Sequence, residues 1–237
     1  MRVFSALSIA VGAFCYGAFP TLAYDVAPVS NGGAIKGKVV YNGTVPTRTV
    51  LPTKDEKICG GPRKEDLIRV GADKGVQDAV LSIQGITKGK AWPAPGKVPV
   101  IDNKDCLFLP RVQVVAVGKM SVLNSDPVLH NTHGFYDKRT AFNLALPNQN
   151  QAIEVELQRP GTVRIECDSH GWMLGWVHVV DNPYYALSDA SGSFEIKDIP
   201  PGKYTFVANQ EAIGPMTMEV EVKAGQTVDL PIELKKK

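Results

Sequence analysis

Histidine is scarce in this chain, four residues among 237, and cysteine is equally so. Four imidazoles are too few to build one metal site and a separate histidine-rich catalytic cluster beside it. Charge of one sign is not in excess either: 26 Lys and Arg stand against 24 Asp and Glu, a formal net charge of +2, with the two signs interspersed. That balance excludes the basic stripe of a nucleic-acid binder. The one basic run, Lys235-Lys236-Lys237, reads as a solvated tail. Helical periodicity is lacking throughout, which leaves little room for helix. Long apolar runs are missing beyond the start of the chain, so an integral membrane protein is not suggested.

What is present begins with an export signal. Arg2 supplies a positive start, Val3 to Phe19 is mostly apolar and small, and Thr21-Leu22-Ala23 offers small residues where cleavage falls. The apolar stretch is short for a membrane span and no stop-transfer charges follow it. Residues 1–23 are therefore expected to be removed, placing Tyr24 first in a periplasmic protein without a membrane span. Loss of Arg2 takes the net charge from +2 to +1. Cys15 leaves with the leader, so three cysteines remain, an odd number in a compartment that oxidises pairs. Cys167 stands in a ligand-like context, and Cys59 and Cys106 are accordingly expected to form the disulfide.

Short strand signals follow. Ala34 to Tyr41 alternates imperfectly and ends at the turn pair Asn42-Gly43. Val80 to Ile83, Val112 to Val117, Ile153 to Leu157, Thr162 to Cys167 and Trp176 to Val180 are β-like. Phe194 to Ile196, Tyr204 to Val207, Met218 to Val222 and Leu230 to Leu234 continue the series to the end. Glycine and proline punctuate the runs, and one helical turn is expected near Asp55 to Cys59. Many short strands at this spacing predict an all-β chain of sandwiches or barrels. Trp92-Pro93-Ala94-Pro95-Gly96 and Asp181-Asn182-Pro183 read as edges between units.

The chemistry concentrates in Cys167-Asp168-Ser169-His170-Gly171-Trp172-Met173, where a thiolate, an imidazole and a thioether follow an alternating strand. Upstream, His130-Asn131 lies at another strand end. Singly, each of these residues has an ordinary structural role: a buried Cys or Met fills a core. Together, two imidazoles, a thiolate and a thioether form the donor set of a type 1 copper site, with methionine as the weak axial ligand. The expected ligands are His130, Cys167, His170 and Met173, holding one copper ion.

Residues 96–182 resemble the cupredoxins, the blue-copper fold of plastocyanin and amicyanin. The short C-x₂-H-x₂-M loop is most similar to that of amicyanin. The resemblance implies a Greek-key β-sandwich, His130 as the first ligand, and Asn131 tying the two ligand segments together by hydrogen bonds. Gly33-Ala34-Ile35-Lys36-Gly37-Lys38-Val39, Asp78 to Ile83 and Gly192-Ser193-Phe194-Glu195-Ile196 with Pro200-Pro201-Gly202-Lys203-Tyr204 resemble a carboxypeptidase-regulatory-like sandwich of the immunoglobulin or transthyretin type. Its first pieces precede the copper motif and its last follow it. One discontinuous sandwich, 33–95 with 183–235, is therefore expected to carry the cupredoxin as an insertion. Proteins with this combination resemble periplasmic methylamine-utilisation or plastocyanin-like proteins. Relatives of this type often have histidine where Arg111 and Asn182 stand, and proline where Gly171 stands. A second metal centre is not expected here, and Gly171 is expected to loosen the ligand loop.

His133, three residues beyond His130, reads as either an exposed loop residue or an alternative ligand, and His178 as structural. Trp172 lies between two ligands, either shielding the site or forming, with an exposed edge of His170, a patch where electrons enter. Electron transfer is the expected function. By resemblance the partner is a periplasmic redox protein such as a c-type cytochrome or a dehydrogenase. The alternatives are a copper carrier or buffer, and a cell-envelope partner-binding module with incidental copper. No paired catalytic carboxylates are legible, so an enzyme is not expected. A dinuclear copper centre would need a second cysteine in the ligand loop.

Overall fold

Alternation of small apolar and polar residues makes one face of most strands dry. In Ser193–Ile199, for example, Phe194 and Ile196 turn inward while Ser193, Glu195 and Lys197 face water. The computed structural model describes residues 24–94 and 96–235. The expected leader, with Cys15 and its cleavage position, lies outside the described residues, as do Pro95, Lys236 and Lys237.

In chain order, β1 (Asp25–Val26), β2 (Gly33–Tyr41) and β3 (Thr47–Val50) precede a one-turn helix, α1 (Glu56–Cys59). Then come β4 (Arg63–Asp66), β5 (Val80–Gln84) and β6 (Lys88–Gly89). The middle of the chain holds β7 (Val100–Lys104), β8 (Leu107–Leu109), β9 (Val112–Ala116), β10 (Gly118–Asn124) and β11 (His130–Tyr136). It continues with β12 (Arg139–Leu146), β13 (Gln151–Leu157), β14 (Gly161–Glu166) and β15 (Leu174–Val180). The last stretch is β16 (Tyr185–Leu187), β17 (Ser193–Ile199), β18 (Gly202–Gln210), β19 (Gly214–Val222), β20 (Thr227–Asp229) and β21 (Ile232–Leu234). The described residues are all-β apart from α1, and the helical turn sits where the sequence places it.

Two cores organise these strands. The sheet β16-β5-β18-β19 and the sheet β17-β2-β20, with β21 also on β2, enclose Ile35, Leu81, Ile83, Tyr184 and Phe206. Thus β5 pairs with β16 and β18, and β2 with β17, β20 and β21, joining strands from both ends of the chain. Leu230 passes close beside β2, where a Cβ on Gly37 would collide with its carbonyl oxygen, so glycine is required there. Burying a side chain such as Phe206 contributes about 1.5–3 kcal/mol.

The second sandwich stacks β13-β10-β7-β8 on β12-β11-β14-β15-β9, around Ile101, Phe108, Met120, Leu146, Leu157, Ile165 and Val177. Asn182, on the Asp181-Asn182-Pro183 crossing, is buried. Its amide donates to the Ile83 carbonyl and its side-chain oxygen accepts from Tyr184 N–H, which fixes where the chain re-enters the first sandwich. His178 on β15 faces away from the second core yet is buried, because Glu211, just beyond β18, covers it at 3.2 Å. It joins the two sandwiches and stands apart from the metal motif.

Candidate metal centre

The centre forms at one end of the second sandwich, from the first residue of β11 and the loop between β14 and β15. Strand periodicity decides which β11 residues reach it: His130, Thr132, Gly134 and Tyr136 point into the core, and Asn131, His133 and Phe135 point out. The β14–β15 loop winds in two successive turns, His170 N–H to the Cys167 carbonyl at 3.2 Å and Met173 N–H to the His170 carbonyl at 2.8 Å. The three-residue spacing of Cys167, His170 and Met173 thereby fits two consecutive turns of one compact loop. All three are buried, and so is His130.

The two imidazoles converge on one sulfur. His170 Nδ1 lies 3.6 Å and His130 Nδ1 3.9 Å from Cys167 Sγ, with the ring centroids 4.6 Å apart. Each ring's other nitrogen faces a carboxylate: His130 Nε2 donates to Asp126 Oδ2 at 2.7 Å, and His170 Nε2 to Asp55 Oδ2 at 2.9 Å. Asp126 also accepts backbone N–H bonds from Asp105 and Cys106, so it is surrounded by donors and acts purely as an acceptor. A proton on each Nε2 leaves each Nδ1 lone pair free toward the sulfur. Carboxylates behind ligand imidazoles fix the tautomer and the ring orientation in this way.

Burial, outweighing the Asp126 hydrogen bond, holds His130 below the usual imidazole range, which favours the neutral ring a metal needs. Burial also pushes the Cys167 thiol up, against backbone N–H bonds from Asn131, His170 and Ser169 that favour its anion. Metal binding displaces that proton. Soft sulfur with two neutral imidazoles, enclosed and pre-oriented, fits copper.

Asn131 spans the segments that carry His130 and Cys167. Its N–H donates to Cys167 Sγ at 3.4 Å, and its side-chain oxygen accepts from Asp168 N–H at 3.4 Å. His133 is on the opposite face of β11, beside the Asp168 carboxylate at 3.2 Å and stacked on Phe135, and is not among the converging groups. Met173 is packed in the same apolar cluster as Cys167. Arg111 lies over Trp176, and Asn182 in the inter-sandwich crossing, both away from the ligands. Gly171 is exposed with open space around it, while the two turns hold the ligands on either side of it.

One expectation is overturned. His170 has no exposed edge: the ring is 0% exposed, because the loop 51–62, between β3 and β4, places Asp55 against it. An electron-entry patch made of His170 and Trp172 therefore does not exist at the surface. Trp172 is half-buried and meets the His170 ring edge-on at 5.1 Å, while Arg48 holds its carbonyl at 2.7 Å. Of its two suggested roles, the shielding one matches this position. The disulfide joins Cys59 to Cys106, leaving Cys167 as the free cysteine among the described residues.

Sequence reasoning missed Asp126 and Asp55. Asp126 stands four residues before His130 and was legible as a neighbour, but Asp126-Pro127 reads first as a turn. Asp55 is 115 residues from His170 and carries no sequence signal of the contact.

No protein-family model matches the chain, and no curated protein matches it. Among solved structures, the oxidised P96G mutant of amicyanin overlaps 42% of this chain and 98% of its own, at 21% identity and a TM-score of 0.33. A purple cupredoxin from Nitrosopumilus maritimus overlaps 35% of this chain and 99% of its own, at 21% identity and TM-score 0.29. A copper-containing nitrite reductase from Thermus scotoductus SA-01 overlaps 38% of this chain at 18% identity and TM-score 0.32, and the match spans only 24% of the reductase chain. Among the described residues, no helix is long and apolar enough to cross a membrane.

Proposed function

We propose that this chain is an exported, periplasmic electron-transfer protein that holds one type 1 copper ion through His130, Cys167, His170 and Met173. The observation that carries the proposal is the convergence of both Nδ1 atoms on Cys167 Sγ, with both Nε2 atoms locked on carboxylates. Copper bound by such a set supplies a one-electron Cu(I)/Cu(II) couple. The chain's own part is to keep the donors in place and dry. Asp126 and Asp55 hold the imidazoles, Asn131 ties Cys167 to β11, and Trp172 with the loop 51–62 excludes water. A site whose donors are fixed beforehand reorganises little when an electron arrives or leaves.

Two rival assignments fit less well. A copper carrier hands its ion over through an accessible ligand, whereas His130 and His170 are 0% and Cys167 and Met173 1% exposed. A cell-envelope binding module would give the paired His–carboxylate contacts no purpose. We assign no enzymatic turnover, since the carboxylates at the site are engaged with ligand imidazoles. The partner class we propose is a periplasmic c-type cytochrome or dehydrogenase. For the chain's organisation we propose a first sandwich of 33–95 and 183–235 carrying the copper domain, 96–182, as an insertion.

Voltammetry of the copper-loaded protein tests electron transfer: a reversible one-electron wave with slow copper loss to a Cu(I) chelator is expected. Fast release with no reversible wave would favour the carrier. Met173→Leu is expected to retain the colour and shift the potential, because the axial ligand tunes the ion more than it holds it. A colourless Met173→Leu protein would contradict that assignment.

A further inference from the structure

The loop 51–62 joins β3 to β4, a two-stranded pair outside the sheets of both sandwiches, and its inner face belongs to the second core. Lys54, Asp55, Glu56 and Lys57 are exposed, while Ile58 and Cys59 pack on the cluster that contains Cys167 and Met173. Its fastenings differ in kind. Asp55 accepts the His170 Nε2 proton at 2.9 Å. Cys59 is bonded to Cys106, in the β7–β8 turn, and both bridge sulfurs lie within 4.8 Å of a His170 ring nitrogen. Arg63 holds the Cys59 carbonyl at 3.2 Å from the stem of the β3–β4 hairpin. Beyond the bridge, Gly60 adopts φ 74, and neither it nor Gly61 has a neighbour within 4 Å of its Cβ position, so no side chain or backbone packs against the loop there.

We propose that the loop 51–62 is a lid stapled over the metal centre by Cys59–Cys106, that Asp55 is a positioning residue for His170, and that metal ions and solutes reach Cys167 and His170 only as this lid opens. The metal part rests on the copper assignment; access to the Cys167 thiol does not. With the bridge intact, the lid's inner face is tethered directly beside His170, and local opening must strain against a covalent link. Without it, the lid is held by one carboxylate–imidazole bond, the contacts of Ile58 and the Arg63 bond, and it opens as an ordinary surface loop.

The test uses metal-free full-length protein and an aromatic disulfide reagent that reacts with accessible thiols, followed at Cys167 under native conditions. In the wild type, reaction is expected to be slow. Cys59→Ala/Cys106→Ala is expected to react about tenfold faster or more, because the cross-link no longer limits opening. Asp55→Ala keeps the bridge and is expected to give a smaller rise, about fivefold. Asp55→Asn retains an acceptor oxygen and is expected to return the rate to within a factor of about two of wild type.

Equal rates in all four folded proteins overturn the lid, and equal rates in Asp55→Ala and Asp55→Asn overturn the positioning role. Should the double variant fail to fold, hydrogen exchange of the loop decides the matter: faster exchange at 51–62 in Asp55→Ala supports the lid, and unchanged exchange overturns it. Protein that takes no colour with copper but keeps a protected thiol overturns the copper assignment and leaves the lid standing.

Discussion

Asp126→Ala is expected to cost the centre about 10- to 100-fold in copper affinity while leaving the colour of the saturated protein largely intact. Among the four proposed ligands, Asp126 holds the far nitrogen of His130, at 2.7 Å. Removing it frees the ring to rotate and to exchange tautomers, so the Nδ1 lone pair is aimed at Cys167 only part of the time. Backbone N–H groups of Asp105 and Cys106 lose their acceptor too, which costs stability of about 1–3 kcal/mol if no water replaces it. Asp126→Asn separates the two effects. It keeps one acceptor oxygen, on the side that takes Cys106 N–H and His130 Nε2, but sets an amide NH2 against Asp105 N–H, so affinity is expected to recover more fully than stability. Competition titration against a chelator of known affinity, with urea unfolding of the metal-free forms, checks both. Unchanged affinity in Asp126→Ala would show that His130 is held some other way.

Cys167→Ser is expected to remain folded and to lose both the colour and the copper-dependent stability. The side chain is 1% exposed and its sulfur accepts backbone N–H bonds from Asn131, His170 and Ser169, which a hydroxyl oxygen also accepts. The fold therefore has little reason to fail. A hydroxyl does not ionise as a thiol does, so the soft anionic donor is gone. Ligand that binds only the native state stabilises it, by about 4.1 kcal/mol when free ligand is 1,000-fold above its dissociation constant. Wild-type protein is expected to show a rise of that order in Tm and unfolding free energy when copper is added, and Cys167→Ser almost none. Thermal unfolding with and without copper reads this directly. An equal rise in both would place the copper elsewhere.

The grouping of Cys167, His170 and Met173 was legible because it is local: they are three residues apart, and two tight turns hold them in one loop. The alternating strands, such as Thr162 to Glu166 and Phe194 to Ile196, were legible for the same reason. β4 was not, since Arg63-Lys64-Glu65-Asp66 has no apolar residue to alternate. It is a surface strand held on β3 by Arg48–Glu65 at 2.6 Å. Glu65 is partly buried, which raises its carboxyl, but the Arg48 and Arg63 partners more than offset this and leave it below the usual range. β11 was also hidden, because its inward positions are His130, Thr132, Gly134 and Tyr136 instead of aliphatic residues. Most opaque was the covering of His170. The Asp55–His170 contact crosses 115 residues, and no local pattern encodes it. An exposed histidine edge was the natural expectation from the motif, and tertiary packing reversed it.

We propose that one copper ion sits on the converging donor atoms of His130, Cys167 and His170, with Met173 as the fourth ligand. Titration of purified metal-free protein with Cu(II), followed in the visible spectrum, tests it most directly. The expected result is an intense thiolate-to-copper band in the red that grows linearly and stops at one equivalent. A colourless complex, or absorbance that climbs past one equivalent without a break, would contradict it.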